Sequence, residues 1–315
     1  MNLPSFIYTK IFRIGSNILI GLIVFYLLAI QILNSDFEKN AAIFNGQSIQ
    51  DILLITLMLV IGCIVNISIE AYKWKLAVGK GINVKYKDSF KAILVGITYG
   101  IFTPNRVGEI LGRVLFVKGL NKSRLTMLTL VCSASMTVAG LIIAYLAIVF
   151  YFKEIPFRNL YLVTGSILML FLNYFYFSVY KIIKKIVRFK WWKKYADFAS
   201  TLKLLSFYDL TKILSLSILK YLSFTFQYYL LISFFYPETS ILAIACGLSL
   251  VYFIQSFIPT PVVIELGIRG NLTVLFLSKY VDGNTLLITN VAYFIWLVNM
   301  LIPAIIGYVF VITKK

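Results

Sequence analysis

Apolar residues fall in long uninterrupted runs, and the lengths of those runs define the elements. A helix needs about 20 apolar residues to cross the bilayer hydrocarbon, and runs of roughly 10–14 fall short. Uncharged runs long enough to cross lie at 14–35, 52–69, 125–152, 159–180 and 283–313. Residues 213–235 join them if Lys220 snorkels, its stem in the apolar layer and its ammonium toward the surface. Two more regions are interrupted. Residues 92–117 form two short arms broken at Pro104-Asn105-Arg106, and residues 239–279 break at Pro259-Thr260-Pro261. Each is read as a helical hairpin that enters the membrane and leaves by the same side; two short tilted crossings per hairpin is the alternative. The expected fold class is an all-α polytopic membrane protein with about six full spans and two re-entrant hairpins.

Basic residues orient this arrangement, because Lys and Arg gather in cytoplasmic loops. Lys10 and Arg13 place the N-terminus inside, and Lys314-Lys315 do the same for the C-terminus. The segment 34–51 carries Lys39 against Asp36, Glu38 and Asp51 and is external, as is the loop at Glu238. Lys73, Lys75, Lys80, Lys85, Lys87 and Lys91 mark one cytoplasmic loop; Lys118, Lys122 and Arg124 mark the next. The segment between those loops therefore returns to its own side. The resulting single membrane domain divides into an N-terminal span and external loop (1–50), a first repeat (51–155), a connecting span with a basic linker (156–211) and a second repeat (212–315). The two repeats have opposite orientation, the inverted plan of many transporters. In the linker, Val187, Trp191, Tyr195, Phe198, Leu202 and Leu205 recur at spacings of three and four. They predict an amphipathic helix lying on the cytoplasmic leaflet or on the protein's own cytoplasmic face.

Composition agrees. Of 315 residues, 60% are hydrophobic and 13% charged, more apolar surface than a soluble domain can cover. The net charge of +18 would suggest nucleic acid in a soluble protein. In a membrane protein it points to loops facing anionic lipid, and no nucleic-acid partner is expected. There is no histidine, and Cys63, Cys132 and Cys246 sit in apolar runs without metal-ligand spacing. No metal, no cofactor and no catalytic residues are expected, so the chain does not read as an enzyme. A homo-oligomer is compatible with these features.

Candidate chemistry is concentrated at the breaks. Thr103-Pro104-Asn105-Arg106-Val107-Gly108-Glu109 leads to Arg113, and Thr260-Pro261 leads to Glu265 and Arg269. The second Glu and Arg both follow the first by 156 positions (109 to 265, 113 to 269). Charge in hydrocarbon is costly, so such pairs mark functional sites by default. Thr is a good N-cap and Pro suits the first helical turn, so each Thr-Pro predicts a helix start, with Arg106 at the third helical position. Free N–H groups there would favour an anion such as phosphate. Thr103, Asn105, Arg106, Glu109, Arg113, Thr260, Glu265 and Arg269 form the expected substrate-binding set. A purely structural role for the ion pairs stands beside that reading. Asn66, Glu70, Asn173, Gln227, Gln255, Asn271 and Asn299 are read as residues that satisfy interhelical hydrogen bonds.

Tyr72-Lys73-Trp74-Lys75-Leu76, the segment from Phe102 to Arg113 and the segment from Ile258 to Gly270 resemble the transmembrane, flippase-like domain of lysylphosphatidylglycerol synthases. The resemblance covers nearly the whole chain and implies a stand-alone member without the soluble aminoacyl-transferase domain. It implies a lipid translocase of the bacterial inner membrane, acting on a phospholipid or lipid-linked substrate. The family often has Arg where this chain has Lys73, and a Gly-Gly turn where it has Val262-Val263. The rival expectations are an intramembrane enzyme of lipid or polyprenyl-phosphate metabolism and a non-transporting partner of a lipid-synthesising enzyme.

Overall fold

A computed structural model describes residues 46–80, 84–103, 106–117, 121–151, 157–187, 200–256, 258, 262–281 and 284–313. The expected span at 14–35, both chain ends, Asn105, Thr260, and Trp191, Tyr195 and Phe198 of the linker stripe lie outside the described residues. All regular structure within them is helical.

The first half contains α1 (Ile49–Val78), α2 (Tyr86–Ile101), α3 (Val107–Phe116) and α4 (Lys122–Phe150). Helices α5 (Arg158–Phe177) and α6 (Val179–Ile186) connect it to the second half. That half contains α7 (Phe207–Phe235), α8 (Ile241–Ser256), α9 (Val262–Leu277), α10 (Thr285–Trp296) and α11 (Ile302–Ile312), the last two joined by a π turn at Leu297–Leu301. Among the described residues, five helical stretches are long and apolar enough to cross a membrane: Ile49–Val78, Lys122–Phe150, Asn159–Phe177, Phe207–Phe235 and Thr285–Ile312. They fall on five of the six expected spans. Both interrupted regions form two packed helices, α2 with α3 and α8 with α9.

Local sequence explains the starts. Ser48 accepts from the Asp51 N–H at the head of α1, and Asn121 accepts from Ser123 N at 3.0 Å to begin α4. A reciprocal Ser206–Asp209 capping box opens α7, and Lys80 at the end of α1 pairs with the same Asp209 at 3.0 Å. One boundary differs from expectation. Helix α1 continues nine residues past Ile69, and Lys73 belongs to its buried face rather than to a loop. Glu70 and Lys73 lie one turn apart and neutralise each other at 2.9 Å, so the helix carries both charges inward.

Helices of the two halves pack against each other. Along α1 and α7, Asn66 meets Gln227, Glu70 meets Lys220 and Lys73 meets Ser217, so the two run antiparallel. The first arm of each hairpin packs on the last helix of the other half, α2 on α11 and α8 on α4. The α2–α11 crossing is close because Gly307 lies against Leu94 and Thr98, and the Thr98 hydroxyl donates to Ala304 O at 2.8 Å. Core side chains such as Leu59, Trp74, Ile213 and Leu248 belong to one buried cluster drawn from both halves, while Leu53, Leu57, Leu160 and Leu170 point outward. An apolar exterior of this kind suits lipid as solvent.

A β-carbon at Gly307 would overlap Leu94 O and Thr98 Oγ1, and backbone cannot move aside cheaply. Gly307→Leu is expected to lower stability in detergent by about 1–3 kcal/mol, the usual cost of overpacking. Gly140→Ala meets nothing within 4 Å and should leave the unfolding midpoint nearly unchanged. Equal midpoints for both variants would show that the α2–α11 crossing is not tight.

Candidate functional site

A cavity of about 420 Å³ lies between the halves, and both hairpins contribute to its wall. Four cations line it, Arg106, Arg113, Lys220 and Arg269, together with three carboxylates, Glu70, Glu109 and Glu265.

Within each hairpin the Glu–Arg pair forms as its spacing suggests. Arg113 Nη2 donates to Glu109 Oε2 at 3.0 Å, and Arg269 Nη2 donates to Glu265 Oε1 at 2.9 Å. A further contact joins the hairpins. Arg106 meets Glu265 with two hydrogen bonds, Nη2 to Oε1 at 2.6 Å and Nε to Oε2 at 3.3 Å. This two-point geometry suits a planar guanidinium facing a carboxylate. Arg269 is also held by Gln255, whose Oε1 accepts from its Nε at 3.3 Å, and lies over the Tyr252 ring.

Thr103 acts differently from expectation. Helix α3 starts at Val107, with Arg106 at its N-cap in the left-handed region (φ 55°). The Thr103 hydroxyl accepts from Gly108 N at 2.7 Å, reaching across the break to the first turn of α3. A β-carbon at Gly108 would strike Tyr99 O and Thr103 Oγ1, so the loop closes this tightly only over glycine. Arg106 thus stands ahead of the helix, where its side chain reaches the opposite hairpin. The corresponding start near Thr260 lies outside the described residues.

Sequence reasoning missed the centre of the site. Glu70, only 4% exposed, meets three cations: Arg113 Nη1 through Oε1, and Lys73 and Lys220 through Oε2, each at 2.9 Å. Lys220 does not snorkel; its ammonium turns inward to a carboxylate that offsets its charge. Lys73 is fully buried and donates also to Cys132 O at 3.3 Å and Ser217 Oγ at 3.2 Å, one acceptor for each N–H. The signal was present in the sequence: Glu70 is an acidic residue in an apolar run with a lysine one turn later.

Below this cluster, amides form a buried seam. Asn66 donates to Gln227 at 3.2 Å and to Asn299 at 3.0 Å, and Asn299 donates to Gln227 at 2.8 Å. Asn299 sits in the π turn, an irregularity that often accompanies functional sites. Asn66 and Asn299 also line the cavity. For these three amides the expected interhelical bonding holds; Asn173 instead bonds back to Met169 O of its own helix.

Removing Glu70 leaves three cations facing one another in apolar surroundings. Glu70→Gln is expected to cost about 3–5 kcal/mol, as for other broken buried pairs. Adding Lys73→Met should recover part of that loss, so the two changes will be strongly non-additive. Unfolding of the four cycle members in detergent checks this, and strict additivity would mean that Glu70 and Lys73 are not coupled.

Comparison with curated proteins gives no match, and neither does comparison with solved structures. Comparison with protein families gives a match over nearly the full length. The model of the lysylphosphatidylglycerol synthase TM region covers residues 17–310, including every helix described above except the end of α11. The Glu–Arg pairs, the Glu70 cluster and both hairpins therefore lie within one recognised membrane unit, and the chain belongs to the lysylphosphatidylglycerol synthase transmembrane family, a family of multi-pass membrane proteins tied to lipid metabolism or translocation.

Proposed function

We propose that this protein is a lipid translocase that moves a phospholipid or lipid-linked phosphate headgroup between leaflets. The observation that carries the reading is the Arg106–Glu265 bridge, which joins the two hairpins beside a charged cavity. Ion pairs placed deep among apolar helices are expensive unless they serve a purpose. A volume of about 420 Å³ falls in the range of small-ligand sites, roughly 300–1,000 Å³. It has room for a headgroup while the acyl chains remain in the bilayer.

The antiparallel pairing of α1 with α7, and the exchange of hairpin arms between halves, favour an inverted repeat. In the proposed cycle the halves rock about the α1–α7 seam and open the cavity to each leaflet in turn. Arg106, Arg113 and Arg269 compensate the phosphate, while Glu109 and Glu265 orient the arginines. Both hairpins are re-entrant in this reading, both termini are cytoplasmic, and the membrane is the bacterial inner membrane. The cycle contains no covalent step.

Leaflet accessibility of headgroup-labelled lipids in proteoliposomes tests the proposal. Wild-type protein is expected to exchange at least one phospholipid faster than empty vesicles. Arg106→Gln and Glu265→Gln should each slow it by about tenfold or more, in keeping with the value of a desolvated charge pair. Leu53→Ala, on the outward face of α1, should not. Wild-type rates equal to those of empty vesicles across a broad lipid panel would end the translocase reading.

A further inference from the structure

Among the described residues the charges around the cavity do not balance. Arg106, Arg113, Arg269 and Lys220 line it, and Lys73 lies directly behind Glu70, so five cations face the three carboxylates Glu70, Glu109 and Glu265. Every carboxylate already has at least two cationic partners within 4 Å. Glu70 has three, Glu265 has Arg106 and Arg269, and Glu109 has Arg113 at 3.0 Å and Arg106 at 3.9 Å. Among the charged groups, unused hydrogen-bonding capacity is on the donor side; the neutral Asn66 Oδ1, which also lines the cavity, is an acceptor without a partner among the described residues. The three N–H groups of Lys220 have Glu70 as their one hydrogen-bond acceptor among the described residues. Among the described residues the Nη1 of Arg106 has only the long contact to Glu109.

We infer that the cavity selects a phosphate monoester, which brings up to two negative charges, and rejects cationic aminoacylated lipid; for the lipid form this rests on the translocase reading. An excess of two positive charges in apolar surroundings is offset most fully by a guest of charge near −2. A phosphate monoester carries about −1.5 to −2 at neutral pH and offers three strong acceptor oxygens. A phosphodiester lipid brings one negative charge and leaves one cation uncompensated. A lysylated headgroup adds positive charge and meets carboxylates that are already paired. Lys220, from the second half, is the residue that separates monoester from diester. Its side chain is 19% exposed, while the buried Lys73 spends each N–H on protein acceptors.

Binding by the purified full chain in detergent tests this apart from transport. The probes are short-chain phosphatidic acid, phosphatidylglycerol, phosphatidylcholine, lysylphosphatidylglycerol and inorganic phosphate, each titrated at pH 7.5. Phosphatidic acid is expected to bind about tenfold tighter than phosphatidylglycerol, as one added charge-assisted contact permits. Lysylphosphatidylglycerol should show no saturable binding. Lys220→Gln should abolish the preference for phosphatidic acid, and Lys220→Arg, which keeps the charge, should retain it and guards against loss of fold. Phosphatidic acid binding tighter than inorganic phosphate assigns the monoester to a lipid; equal affinities assign it to a soluble phosphate. The inference fails if lysylphosphatidylglycerol or phosphatidylcholine binds as tightly as phosphatidic acid. It fails equally if no probe binds, or if the preference survives Lys220→Gln. Transport of diester lipids without a monoester preference would sink the charge rule alone, and monoester-selective binding without transport would sink the translocase reading alone.

Discussion

Glu70 sits where α1, α3 and α7 converge, and its two oxygens receive Arg113, Lys73 and Lys220. In apolar surroundings a lone lysine or arginine at this depth would be strongly disfavoured, and three together far more so. One carboxylate makes all three tolerable. Because Arg113 belongs to the first hairpin and Lys220 to the opposite half, Glu70 also fixes the hairpin against α1 and α1 against α7. The arrangement of the remaining charges depends on this anchor. Arg113, held from one side by Glu70, presents Glu109 toward the cavity, and Glu109 lies 3.9 Å from Arg106.

The α1–α7 seam is polar at two levels. Glu70 and Lys220 meet at one, and Asn66, Gln227 and Asn299 at the other. Between long apolar helices in lipid there is little hydrophobic drive for association, so buried hydrogen bonds and close packing specify the partner. Antiparallel α1 and α7 satisfy both levels at once. Sliding either helix by a turn would leave a charged group or two amides without partners. The seam therefore defines register more sharply than the surrounding leucines do.

Run length alone placed five long helices, because the need to cross about 30 Å of hydrocarbon leaves few other readings. The pairs Glu109–Arg113 and Glu265–Arg269 were equally legible, since residues four apart share a helix face. What spacing could not show was contact between segments distant in the chain. Arg106 with Glu265 and Lys220 with Glu70 are long-range encounters, and nothing local to Lys220 separates an inward ammonium from a snorkelling one. Lys73 read as a loop residue because charge usually marks the end of a span; its partner one turn earlier reverses that inference. Thr103 read as a helix cap because Thr-Pro often is one. The hydroxyl does cap a first-turn N–H, but that of Gly108, since the left-handed turn at Arg106 delays the helix to Val107.

Among the described residues three ion pairs connect the halves, and the two that line the cavity, Arg106–Glu265 and Lys220–Glu70, differ in what holds them. Glu70 keeps two other cations when Lys220 leaves, whereas Glu265 keeps only Arg269 when Arg106 leaves. Of the two cavity-lining cations in these pairs Arg106 is also the more exposed, and it is itself the left-handed residue ahead of α3. A left-handed non-glycine conformation costs of order 1 kcal/mol and persists only where surrounding contacts impose it. In the proposed cycle the hairpin bridge is therefore the contact that yields first, and a phosphate arriving at Arg106 replaces the acceptor that Glu265 gives up. The Glu70 cluster, already saturated from within the first half, can stay assembled while the bridge opens. That division, one pair that exchanges partners with the guest and one cluster that preserves the seam, allows charged groups to move relative to each other inside an apolar protein without any of them being left unpaired.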